Sequence, residues 1–409
     1  ERNQPSNMDR GDIGKITGLP HQQDRRTVAW ISTEVPAEWT GVVARLLTDA
    51  QPLDENKTAF EPAQNYTVTA VQHRVFSRSN IGVIFANRQT LSTINNSKLQ
   101  WQSHDYNRVM GLEYIFASSD DKISGKAYQH FEFKSESSQP EYTRGLLLNH
   151  NTKLWRNWFH LSQISRNYAP HTGLVSRNDL FNANIYLAKS FYLKKGLINQ
   201  IELLTNPQAY YNLKGEFTDY SNITGIHLIS KSTHDIWVVN IRERNTLTSS
   251  FDPSFNNMTG LDSGYVSKFN YWRLAYGTDL RKQLSGKILI DYGGYYTGKQ
   301  RRVEGSINYR FQPNLILGFN YSITNFKLPT PLGDNLITVF GPKVDLTLNR
   351  NLFWNNLIQY NSLFQNLNIF SRLQWRFRPL SDFFLIYSSY KNANLGDNHN
   401  LSLKIVYWL

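Results

Sequence analysis

Arg301-Arg302-Val303-Glu304-Gly305-Ser306-Ile307-Asn308-Tyr309-Arg310-Phe311 is followed by Gln312-Pro313-Asn314 and then by Leu315-Ile316-Leu317-Gly318-Phe319-Asn320-Tyr321-Ser322-Ile323-Thr324. In the first segment Val303, Gly305, Ile307, Tyr309 and Phe311 alternate with Arg302, Glu304, Ser306, Asn308 and Arg310, so one side is apolar and the other charged. A period of two belongs to an extended chain, whose successive side chains point to opposite faces. The second segment repeats the pattern with Leu315, Leu317, Phe319, Tyr321 and Ile323 on its apolar side. Two such segments joined by so short a link predict a β-hairpin.

The same period runs outward in both directions. Towards the C-terminus, Ile369, Ser371, Leu373, Trp375 and Phe377 oppose Phe370, Arg372, Gln374, Arg376 and Arg378, and Val344, Leu346 and Leu348 oppose Lys343, Asp345, Thr347 and Asn349. The last segment places Leu401, Leu403, Ile405, Tyr407 and Leu409 on one side and runs to the final residue, as the terminal assembly strand of an outer-membrane barrel does. Towards the N-terminus, residues 40–49, 65–76, 80–89, 107–117, 122–133, 142–149, 154–164, 180–190, 200–211, 222–230 and 235–244 read alike but less cleanly. Together these predict about twenty strands, within a range of roughly 16 to 22, each long enough at ~9–11 residues to cross a membrane at a tilt. The expected fold class is all-β: a transmembrane antiparallel β-barrel with an up-and-down meander.

Composition agrees. The 409 residues include 44 Lys+Arg against 32 Asp+Glu, a net charge of +12, no cysteine, and 10 Trp, 23 Tyr and 23 Phe. Without cysteine there is no disulfide, thiolate nucleophile or Cys-ligated metal. Every apolar run is broken well short of the ~18 residues that a membrane helix needs. So much aromatic surface excludes a solvated coil. A soluble β-sandwich also alternates, but its core face carries aliphatics where these strands carry Arg, Lys and Asn. The apolar side here is weighted towards Tyr, Trp and Phe, the residues of membrane-interface girdles. Open twisted sheets also rarely exceed ~10 strands.

No linker or charge run divides the chain, so a single barrel domain over 1–409 is expected, with 1–25 periplasmic or lumenal. The opening at Glu1, without the charged head and apolar core of a signal peptide, reads as a processed or trimmed product. Residues 51–64, 90–106, 135–141, 166–178, 247–263 and 327–336 are the expected loops or plugging segments.

Several stretches carry a family likeness: Asn167-Tyr168-Ala169-Pro170-His171-Thr172-Gly173-Leu174-Val175-Ser176-Arg177-Asn178-Asp179, Asn65-Tyr66-Thr67-Val68, Ser79-Asn80-Ile81-Gly82, Asn107-Arg108-Val109-Met110-Gly111-Leu112-Glu113, Phe251-Asp252-Pro253, Tyr309-Arg310-Phe311-Gln312-Pro313, Gln359-Tyr360-Asn361, and Arg372 through Pro379 with Ser381-Asp382-Phe383-Phe384. In this order they resemble the Bacteroidota outer-membrane family of carbohydrate-binding family nine-like domain-containing proteins, in the large C-terminal barrel region of unknown function. The resemblance covers most of residues 10–409. It implies an outer-membrane location and a barrel. Family members carry a sandwich similar to a sugar-binding module ahead of the barrel, a stretch that these 409 residues do not include. The resemblance brings no catalytic residues.

The search for chemistry is sparse. There is no His-Glu-x-x-His, no phosphate loop and no Gly-x-Ser-x-Gly, so no metal, cofactor or nucleophile is predicted. His227 and His234 lie nearest each other on one hairpin, and Asp179 and Asp252 could be rim acids but read more simply as turn caps. The basic excess says more. Arg302, Arg310, Lys343, Arg372, Arg376, Arg378 and Lys404 fall on polar faces and form an expected lumenal ladder, either favouring anions or pairing with acids such as Glu304 and Asp345. Val303, Ile307, Tyr309, Leu315, Leu317, Phe319, Tyr321, Leu373, Trp375 and Phe377 are expected to face lipid.

The reading that follows is a non-enzymatic outer-membrane channel or uptake pore with a polar, basic lumen. A structural or docking subunit of a larger envelope complex is the second reading, and a rim-active enzyme the third. Expected partners are outer-membrane lipid and lipopolysaccharide, the barrel assembly machinery during biogenesis and other envelope proteins. With no nucleic-acid motif in the sequence, nucleic acid is not among them.

Overall fold

A computed structural model describes residues 28–32, 39–48, 51–52, 60–94, 98–256, 260–392 and 396–408. The expected N-terminal segment 1–25 and Leu409 of the terminal strand lie outside the described residues. Among the described residues the chain is all-β, with no helix. Twenty-one strands belong to one sheet, and a short pair, Gln51–Pro52 with Phe60–Glu61, stands apart from it. Each strand register is antiparallel and joins strands that follow one another along the sheet, so the meander expected from the sequence is the observed topology. The hairpin read from residues 301–324 is Gly298–Phe311 against Leu315–Lys327, with Val303 opposite Ile323 and Ile307 opposite Phe319.

Some boundaries differ from expectation. Residues 90–106, expected as a loop, are mostly strand, within Ser79–Ile94 and Lys98–Ala117. A ladder is held by its backbone partners and continues past the point where alternation fades. The strands Val266–Gly277 and Leu284–Tyr295 fall where no segment was expected. Ile288-Leu289-Ile290 is a continuous apolar run, and Gly286, Gly293 and Gly294 leave gaps in the pattern, so the period of two is lost.

The contacts gather into two compact units. One comprises Glu1–Tyr114, Gln129–Tyr142 and Asn167–Ser176; the other comprises Ile115–Tyr128, Thr143–Arg166 and Arg177–Leu409.

In the second unit turns at 193–197, 231–234, 278–283, 312–314, 350–351 and 379–380, two to six residues long, close one end of the strands; the other end carries the long segments 247–265 and 328–334 beside short turns at 212–216, 296–297 and 362–365. Two of the long segments fold onto each other. Phe326, Leu328 and Leu332 are buried against Phe255, Leu261, Tyr295 and Ile337. Asn256 Nδ2 donates to the Leu332 carbonyl and Asn335 Nδ2 to the Ser254 carbonyl, both at 2.7 Å.

The two faces of this unit are chemically distinct, because paired residues of neighbouring strands lie on the same side. Leu203, Ile226, Val238, Leu274, Ile290, Val303 and Ile323 stand in register across seven consecutive strands. This aliphatic row is open to the surroundings; Leu203 is 47% exposed and Leu274 45%. Two residues further along the strands the row becomes Thr224, Asn240, Trp272, Tyr292 and Arg301, with the Arg301 guanidinium over the Tyr292 ring. On the opposite, concealed face the in-register row reads Ala188, Leu204, Gly225, Val239, Arg273, Asp291, Arg302 and Thr324. Gly225 has to be glycine in this packing, because a Cβ there would lie 2.2 Å from the Val238 carbonyl oxygen and 2.8 Å from Val239 Cγ1.

Candidate functional site

The concealed face of the second unit carries the groups that could handle a polar solute, and it changes character along the chain. In the strands Leu180–Tyr192 to Val266–Gly277 it holds an apolar cluster of Ala188, Leu204, Val239, Ile241 and Tyr271, flanked by Tyr186, Ile223, Trp237 and Phe269. At its edge sits Glu202, 3% exposed. Its Oε1 takes an ion pair from Arg156 Nη2, and its Oε2 accepts a hydrogen bond from Ser190 Oγ at 3.2 Å. Arg156 also donates to the Tyr186 hydroxyl at 2.9 Å. His227 stacks on Trp237 with ring centroids 3.8 Å apart. Its Nε2 pairs with Asp235, and its Nδ1 faces Glu202 Oε1 at 3.7 Å, beyond hydrogen-bond length. With a carboxylate facing each ring nitrogen, His227 offers neither nitrogen to a serine as a general base. Among the described residues no three His, Asp or Glu side chains gather as a metal would require.

Further along, the same face carries salt bridges. Arg273 forms a two-pronged pair with Asp291 at 2.7 and 2.8 Å, the planar fork matching the carboxylate. The expected basic ladder lies here and is partly matched. Arg302 pairs with Glu304, Lys343 with Asp345 at 2.6 Å, and Arg376 with Asp382 at 3.4 Å. Arg372 Nη2 donates to Asn355 Oδ1, which sits beside Asp345, and Arg378 donates to the Tyr407 hydroxyl. Arg310 and Lys404 have no side-chain partner among the described residues. Of the residues expected to face lipid, Ile307, Leu317, Phe319 and Trp375 are among the exposed large hydrophobics, as are Leu401, Leu403, Ile405 and Tyr407 of the last strand. Val303, Tyr309, Leu315, Tyr321, Leu373 and Phe377 are half-buried.

The two imagined acids cap loops. Asp252 accepts from the Ser254 and Asn256 amides, and Asp179, at φ +52°, accepts from the Leu213 amide and from Arg166. In the turn at 278–283 the Arg281 guanidinium hydrogen-bonds Asp279 and holds its carboxyl well below the usual carboxylate range.

The first unit has a network of its own. Glu132 is fully buried and accepts from Asn107 Nδ2 at 2.6 Å and from the Ala169 amide at 2.8 Å. Asn107 Oδ1 takes the His171 amide at 3.2 Å, and Asn167 donates twice to Glu141, so a strap of residues 167–176 is pinned by its backbone to side chains of the strands. The strap lies within the stretch Asn167–Asp179, one of the pieces that carry the family likeness. Neither Glu132 nor Glu202 was singled out from the sequence. An isolated Glu on a polar strand face gives no signal, and only the fold shows what each carboxylate meets.

No family model matches the chain, and no curated protein is detectably similar to it in sequence. Similarity appears in solved structures. A ferric enterobactin receptor from Pseudomonas aeruginosa superposes with a TM-score of 0.55 at 10% identity, covering 91% of this chain and 73% of the receptor. A siderophore receptor from the same organism gives 0.51 at 12% identity, covering 90% and 73%. The fold of this chain is therefore the one seen in those receptor barrels, an all-β antiparallel meander.

Proposed function

We propose that this protein is an outer-membrane uptake barrel that passes a polar solute along the concealed face, with some preference for anions. The observation that carries this reading is the two-sidedness of the second unit: an aliphatic row in register across seven strands, exposed or half-exposed on each, and, one residue away on each strand, a row that turns from packed apolar groups to Arg273, Asp291 and Arg302. An aliphatic band of this extent, in register from strand to strand, suits contact with hydrocarbon. The neighbouring Trp272, Tyr292 and Arg301 suit the boundary between hydrocarbon and headgroups. The end that carries the long segments 247–265 and 328–334 then faces the exterior, and the opposite end the periplasm. Carboxylates offset Arg302, Lys343 and Arg376, so selectivity falls to Arg310, Arg372 and Lys404 and is modest. No step of the proposed activity uses a nucleophile, metal or cofactor.

Planar-bilayer recording tests this. Purified protein should give discrete conductance steps with a reversal potential shifted towards anions, and Arg310→Gln with Arg372→Gln should reduce that shift. A protein that inserts yet stays silent would overturn the uptake reading.

A specific observation favours the second reading, a docking subunit. In the turns at one end of the strands Leu197, Leu280 and Leu380 are exposed, Leu197 at 86%, with Lys194 and Lys195 in the turn of Leu197 and Arg281 and Lys282 in that of Leu280. Apolar turn residues with cations beside them suit an acidic envelope protein. Co-purification of a fixed partner with a silent barrel would favour this reading over uptake. Outer-membrane lipid, the assembly machinery and the Bacteroidota family membership belong to the same proposal.

A further inference from the structure

The exposed face of the first unit is apolar near its short turns and becomes polar further up. Val43, Val83, Met110 and Leu112 are exposed there, followed by Arg45, Thr67 and Asn87 in register on three adjacent strands and Arg108 on the next. Arg108 projects from the polar part of this side and is held in place. Its Nε donates to Asn87 Oδ1 and its Nη2 to Gln89 Oε1, both at 3.2 Å, and its guanidinium lies 4.4 Å from the Tyr106 ring centroid. Asn87 and Gln89 are themselves nearly buried, at 8% and 4% exposure. Arg45 is held in the same way, with Nε donating to Asn65 Oδ1 at 3.0 Å. No carboxylate among the described residues pairs with either guanidinium. Below Arg108 a hollow of about 460 Å³ opens between Phe85, Tyr106, Met110 and Phe133.

Two further facts fix what would fill it. Asn87 is eight residues along its strand from Ser79, which pairs with Val75 across the turn. At ~3.3 Å per residue and a tilt of ~35–45° this sets the arginines roughly 20 Å above the turns, near the far edge of a hydrocarbon band about 25 Å tall. Three strand spacings of ~4.8 Å separate Arg45 from Arg108, roughly 14 Å. Pre-oriented guanidiniums with open donors are suited to phosphate oxygens. The hollow lined by aromatic and Met side chains is suited to an acyl chain.

We propose that Arg45 and Arg108, with the hollow between Phe85 and Phe133, form a binding site for a phosphate-bearing amphiphile of the outer leaflet, its phosphate on the guanidiniums and its chain in the hollow. The proposal rests on the exposed face meeting lipid, and the test separates the two.

The full chain is reconstituted in nanodiscs of phosphatidylcholine, with or without added phosphatidic acid as the phosphate-monoester amphiphile, and retained lipid is read by native mass spectrometry. Phosphatidic acid should be retained selectively. Arg108→Gln should weaken retention by about ten-fold, the cost of one charge-assisted contact, and Arg45→Gln with Arg108→Gln by more. Arg350→Gln, in a short turn, should leave it unchanged. Inorganic phosphate should not compete, since it lacks the chain. Retention equal in wild type and the double variant, with both inserted and heat-modifiable on gels, overturns the site. Competition by inorganic phosphate at low concentration overturns the amphiphile and leaves a simple anion site. Failure of the wild type to enter nanodiscs at all would instead overturn the membrane reading.

Discussion

Within the second unit, the strands Leu180–Tyr192 to Val266–Gly277 and the strands from Gly298–Phe311 to the C-terminus share an exposed face and differ on the concealed one. The earlier set packs Ala188, Leu204, Val239, Ile241 and Tyr271 together there and keeps its charges at the edge of the cluster, deeply buried at Glu202. The later set lines the face with partly exposed pairs such as Arg302 with Glu304 and Lys343 with Asp345. A strand whose two faces are both apolar gives a weak period of two, and one with a charged face gives a strong one. This is why residues 301–324 read so clearly and residues 180–244 less so. It also separates two kinds of ion pair: a few that the packing depends on and several that water can replace.

Substitutions test that distinction. Glu202→Ala takes away the buried carboxylate that Arg156 and Ser190 share, and should destabilise by about 1–3 kcal/mol, because Arg156 stays partly hydrated and keeps Tyr186. Urea unfolding in lipid vesicles, followed by Trp fluorescence, would measure it; a change below about 1 kcal/mol would place Glu202 with the solvent-screened pairs. Val239→Ala removes part of the apolar cluster and should cost about 1–3 kcal/mol in the same assay. A neutral result would mean that the cluster is not closely packed. Arg302→Gln should change stability by no more than about 1 kcal/mol, because both partners remain partly hydrated. A large loss there would remove the contrast between the two strand sets.

Much of the architecture was legible in the residues. The hairpin of residues 301–324 is present with the expected residues opposite one another, and the meander continues to the last described strand. The strands Val266–Gly277 and Leu284–Tyr295 were not legible, because glycines and a three-residue aliphatic run conceal their alternation. The site was less legible still. Arg302, Lys343, Arg372 and Arg376 could be placed on a polar face, but their acidic or amide partners come from neighbouring strands or from two residues away. The strap 167–176 was recognisable as a loop, while its anchoring to Asn107, Glu132 and Glu141 depends on residues up to 64 positions distant.

The sequence by itself determined that the chain forms strands and which side chains share a face, because both follow from a local period of two. It determined the count of strands to within a few for the same reason. Which charges are matched, which glutamates are buried and which arginines on the exposed side are held ready for a ligand were decided by the tertiary structure alone. Each of those properties is a distance between residues far apart in the chain, set by strand register and not by any neighbour in sequence.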